Sequence, residues 1–92
     1  MVVTYSDLIW TFFKEKQLEG IRMGGDCKQR ISSNGCEVFC ISEPRPNDIR
    51  IMCTKFEHSR PLLLCYVSDR DVAKQLCEYL REQVPIFKTL II

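Results

Sequence analysis

Glycine and proline are scarce in this chain, four of each in 92 residues, and there is a single histidine and a single tryptophan. So little glycine and proline argues against a low-complexity or linker-type chain. No apolar run approaches the ~20 residues that a membrane-spanning helix needs, so membrane insertion is not expected. An excess of one charge sign is also missing: thirteen basic and twelve acidic residues leave a net charge of +1. That balance lacks the strong basic excess usual in nucleic-acid binders. With 46% apolar residues the chain is rich enough to build a core. At this length one domain is expected, and it buries only ~60–65% of its unfolded surface, so association with a partner would add to a modest stability.

Signatures of catalysis are missing as well. The chain holds no G-x-S-x-G, phosphate-binding loop, H-E-x-x-H or dinucleotide fingerprint. His58 lies between Glu57 and Ser59, but adjacent residues point in different directions and do not make a triad. The expectation is a protein that is not an enzyme and carries no cofactor.

Cysteine, in contrast, is abundant: Cys27, Cys36, Cys40, Cys53, Cys65 and Cys77. The first residues do not read as a secretory signal, since Asp7, Lys14, Glu15 and Lys16 interrupt any apolar region. Cys53, Cys65 and Cys77 fall inside apolar periodic runs, where a free thiol acts as a small hydrophobe. Reduced thiols in a cytoplasmic or nuclear protein are therefore expected. Cys36, Cys40, Cys53 and His58 have roughly the spacing of a small zinc finger. On a strand, however, Cys36 and Cys40 would lie ~13 Å apart at ~3.3 Å per residue, too far for one metal. No metal is expected; this quartet stands as the zinc alternative, and beside it a cysteine-reactive protein in which Cys27 or Cys40 is the reactive thiol and His58 its base.

Residues 5–19 read as a first helix, capped by Thr4 or Ser6 and ended near Gly20. Tyr5, Leu8, Ile9, Phe12 and Phe13 fall within an arc of ~140° that marks its buried face. Trp10 lies outside that arc. A short strand at Ile21–Met23 and a Gly24-Gly25 turn follow. Residues 27–32 and 36–42 are expected to pair as a hairpin across Ser33-Asn34-Gly35, because Asn-Gly is a strong hairpin signal. Residues 43–48, with two prolines and Asn-Asp, read as a loop. Residues 49–56 alternate as a strand, and 62–67 read as a buried central strand. A last helix opens at Ser68, with Asp71 three residues on, and buries Val72, Ala73, Leu76, Cys77, Tyr79, Leu80 and Val84. Pro85 should end it, leaving a β-prone tail. The predicted fold is α+β: an antiparallel sheet of four to five strands with two helices, in the order α-β-β-β-β-α with an optional final strand.

The function expected of such a chain is protein–protein interaction, as an adaptor, complex subunit or regulatory accessory protein, with a partner or as a homodimer. Trp10 is of the residue type most enriched at binding hot spots. Phe87, Leu90 and Ile92 of the tail would pair with a sheet edge or another chain. The alternative is a nucleic-acid module that uses a basic sheet face. There Lys28 and Arg30 share one side of their strand, Arg50 joins them, and Phe39 would stack on a base.

Overall fold

The Thr4 hydroxyl accepts the Asp7 backbone N–H at 3.2 Å, and the Asp7 carboxylate accepts the Thr4 N–H at 2.9 Å. This reciprocal capping box satisfies two orphan donors and starts α1 (Tyr5–Lys16). The computed structural model describes residues 3–33, 37–55 and 60–91. Helix α1 ends three residues before the expected boundary, where Gln17 turns left-handed at φ 54°. Its buried residues are the predicted five, Tyr5, Leu8, Ile9, Phe12 and Phe13.

Gly20, at φ 83°, turns the chain into β1 (Ile21–Met23). Next comes Gly24, where an added Cβ would stand 2.5 Å from the Leu63 carbonyl oxygen. Only glycine lets the two backbones approach this closely. Then come β2 (Val38–Arg45), β3 (Asp48–Thr54) and β4 (Leu62–Val67). The sheet order is β1-β4-β3-β2, with every neighbouring pair antiparallel. The predicted α+β class, with an antiparallel sheet and two helices, is thus observed with four strands.

The hairpin was expected in the wrong place. Residues 25–28 form a turn, and Arg30 makes an isolated bridge with Thr4. This segment lies along the start of α1 instead of pairing in the sheet: Ser6 N–H donates to Cys27 O at 2.8 Å, and Ile31 N–H to Val3 O at 2.9 Å. Asn34 and Gly35, on which the expectation rested, lie outside the described residues. The tight hairpin joins β2 to β3 through Pro46 and Asn47 instead, with Asn47 at φ 63°. Asparagine tolerates the left-handed conformation this turn requires.

Helix α2 (Arg70–Ile91) is 22 residues long. Its cap is Asp69, not Ser68: the Asp69 carboxylate accepts the Val72 N–H at 3.1 Å. Pro85 does not end it, so the tail expected as a strand is helical through Ile91. The reason is the apolar stripe, since Leu80, Val84 and Phe87 continue at helical spacing against the core and outweigh the hydrogen bond that proline removes.

Both helices pack on one side of the sheet. Phe39, Ile49, Ile51, Cys53, Leu64, Cys65 and Val67 meet Tyr5, Ile9, Phe12, Leu76, Leu80 and Val84 in one core. A bulge in β4 opposite Ile51 and Met52 lets consecutive Leu64 and Cys65 both lie fully buried. Among the described residues no helix is long and apolar enough to cross a membrane.

Candidate functional site

Strand geometry sends alternate side chains to opposite faces, so each core residue of β3 fixes a neighbour on the side without helices. Across that uncovered face the register aligns Arg22, Tyr66, Arg50 and Ser42 in one row over all four strands. Leu63, Met52 and Cys40 make a second row, and Thr54 and Val38 a third. Val38 is 59% exposed, Cys40 is exposed, and Tyr66, Met52 and Leu63 are half-buried.

The Arg22 guanidinium stacks 4.3 Å above the Tyr66 ring, a cation–π contact that holds both side chains flat on the sheet. Arg50 donates to the Ser42 hydroxyl at 3.4 Å, while its buried Nε finds no acceptor. Asp48 stands two residues from Arg50 on the same strand but makes no ion pair with either arginine. A shallow depression of about 240 Å³ lies at this end, lined by Arg22, Asp48, Tyr66 and Ser68 among others. Small-molecule sites run to roughly 300–1,000 Å³ and bury their ligand, so this surface suits a broad contact better than a small ligand.

The nucleic-acid reading had grouped Lys28, Arg30 and Arg50. Only Arg50 lies on the sheet face, because Lys28 and Arg30 belong to the segment beside α1 and are exposed there. Phe39 is 3% exposed and belongs to the core. The zinc quartet is not assembled either. Cys40 lies on the bare face and Cys53 on the covered one, while Cys36 and His58 lie outside the described residues. Among the described residues no cluster of histidine, cysteine, aspartate or glutamate is arranged to hold a metal.

Trp10 is 45% exposed, beside Asp7, Thr11 and Lys14. It sits about 160° round α1 from Phe12 at 3.6 residues per turn, and Phe12 is the residue whose ring meets Tyr79 of α2, at 5.2 Å. Trp10 therefore faces away from α2. On α2, Phe87 packs half-buried against the core, whereas Leu90 is 66% exposed. Ile92 lies outside the described residues. The two interface candidates expected from sequence, Trp10 and the tail, do not form one surface.

A second arrangement was not expected. The Glu37 side chain is 2% exposed. Its Oε1 accepts the Tyr5 hydroxyl and lies 3.9 Å from Lys88 Nζ, while its buried Oε2 has no hydrogen-bond partner. The Cys53 thiol lies 3.9 Å from the Tyr5 hydroxyl, to which it donates. Burial, with the Glu37 hydrogen bond second, pushes the Tyr5 phenol well above its ordinary range. Burial, followed by the nearby Glu37 charge, pushes the Cys53 thiol up to about 11. Tyr5 of α1, Cys53 of β3, Lys88 of α2 and Glu37, the residue just before β2, thus meet in one line of polar groups at an end of the core. The sequence signal is a single acid amid apolar neighbours, Glu37 before Val38 and Phe39.

No family model matches the chain, and neither a curated protein nor a solved structure matches it.

Proposed function

We propose that this chain is a non-enzymatic protein-interaction module that docks another protein on the bare face of its sheet. The observation that supports this is the composition of that face: Tyr66, Leu63, Met52 and Val38 lie together with two arginines on a side that, among the described residues, no helix covers. Tyrosine, methionine and arginine are enriched at the cores of protein interfaces. Four strands at ~4.8 Å by six residues at ~3.3 Å give roughly 19 by 20 Å. That is about half of the ~800 Å² a standard interface buries per partner, so the partner also covers the rim at Arg22 and the Pro46-Asn47 turn.

Charge selects the occupant. The face carries two guanidiniums against one carboxylate, and Arg50 has a donor without an acceptor. A second copy would bring four guanidiniums to two carboxylates. The better complement is a partner with an apolar patch and acidic side chains, because unmatched charge across an interface opposes binding. The five described cysteines are free thiols, which suits the cytoplasm or nucleus.

Site-specific photo-crosslinking in cells tests this reading, with a photoreactive residue placed at Met52, Trp10 or Leu90 of the full chain. A protein adduct from Met52 that is lost on Arg50→Glu is the expected result. Adducts from Trp10 or Leu90 alone would move the interface to the helices. An adduct joining two copies would make the face a dimer contact, and an RNA adduct would establish the nucleic-acid reading instead.

A further inference from the structure

We propose that residues 86–91 form a strap that opens separately from the rest of the molecule, and that the buried Glu37–Lys88 pair is the clasp that keeps it shut. The strap begins where α2 is weakest. Pro85 has no N–H to give the Arg81 carbonyl, so one rung of the helical ladder is missing at the junction. Upstream, the helix is well anchored: Leu80 and Val84 are buried, and the Arg81 guanidinium donates to the Phe39 carbonyl of β2 at 2.8 Å. Downstream, Ile86, Thr89 and Leu90 are exposed, and the strap leans on the body through Phe87 and Lys88, which are half-buried. The Thr89 hydroxyl bonds back to the Pro85 carbonyl at 3.0 Å, so the strap is also tied internally.

The clasp has the chemistry of a switchable contact. A carboxylate with a 2% exposed side chain is costly to bury. Here it is held by the Tyr5 hydroxyl and the Lys88 ammonium, with one oxygen unsatisfied. Opening the strap brings water to that oxygen and to Lys88, which offsets part of the lost contact. Segments with few buried apolar contacts open at lower free energy than the core. The open state presents Phe87 together with Ile86 and Leu90 and uncovers the end of the core where Tyr5 and Cys53 lie. A partner that takes an apolar helical segment would select this state. The inference stands independently of the sheet-face reading, since it concerns the opposite side of the sheet.

Hydrogen exchange read by mass spectrometry on the whole chain tests it, together with alkylation of each thiol by iodoacetamide. Lys88→Met and Glu37→Gln should each speed exchange of amides 86–91 about tenfold, the effect of ~1.4 kcal/mol on a local opening. Both should speed alkylation of Cys53 but not of Cys65. Pro85→Ala restores the missing rung and should slow strap exchange about threefold or more. If strap and core amides respond together in these variants, or Cys65 quickens with Cys53, the strap is not a separate unit and the proposal fails. Unchanged strap exchange in Lys88→Met and Glu37→Gln would remove the clasp. Unchanged exchange in Pro85→Ala would remove the hinge.

Discussion

The two faces of the sheet are made by the same strands and treat their side chains in opposite ways. On β3, Ile49, Ile51 and Cys53 are at most 5% exposed under the helices, while Arg50, Met52 and Thr54 stay half-exposed on the other side. The covered face is committed to stability. The bare face buries less of each side chain, and on the proposed reading Tyr66, Met52 and Arg50 are the residues that meet a partner.

The sharpest contrast is in thiol chemistry. Burial, with the neighbouring Cys27 and Cys77, pushes Cys65 up to about 12, whereas Cys40 is exposed on the bare face. The thiolate is the attacking species, so burial and the raised pKa of Cys65 hold back its reaction with an alkylating agent. Among the described cysteines, Cys40 should alkylate first and Cys65 last, as peptide mapping would show. Comparable rates would erase the difference between the faces.

Next in size is the stability contrast. Ile51→Ala should cost about 2–4 kcal/mol in urea unfolding, since truncating a fully buried side chain leaves a cavity. Met52→Ala, one residue away, should cost under about 1 kcal/mol. A large loss for Met52 would mean that the bare face is part of the core.

A smaller effect sharpens how β4 is held at its start. The Asp26 carboxylate accepts the Leu63 N–H at 2.9 Å and pairs with Arg60 at 3.0 Å. Those contacts, the backbone N–H first, lower its pKa below 3.8. Its contribution is therefore present above that value and is lost as pH falls through the lowered pKa. Asp26→Asn should cost on the order of 1 kcal/mol at neutral pH. Below about pH 4 the variant should lose stability less steeply than the parent chain, as acid titration by circular dichroism would report. The smallest effect is expected for Arg22→Ala, at about 0.5–1 kcal/mol for an exposed cation–π pair, although it should weaken partner binding measurably.

Alternation over residues 49–54, the stripes of both helices and the short strand at 21–23 were legible because each is a local pattern that the fold obeys. The hairpin at 27–42 misled because Asn34-Gly35 carries a strong local turn preference, whereas backbone bonds to Val3 and Ser6 commit residues 27–31 to α1. Pro85 misled because a proline weighs heavily in isolation and little beside Val84 and Phe87. The bare face was partly legible through Arg50, but its membership depended on register and could not be read from spacing. Tyr5, Cys53 and Lys88 come from three elements and Glu37 from the segment before β2, so nothing in the sequence joins them.

The Arg81 guanidinium on the Phe39 carbonyl carries a consequence for how copies of this chain can meet. Strand β2 is the longer outer edge of the sheet, and ribbons grow when such an edge offers its backbone to another strand. Here a helix side chain occupies one acceptor, Pro44 lacks an N–H, and the register breaks between Ser42 and Arg45. Lateral addition of another strand is therefore disfavoured at these positions of the edge.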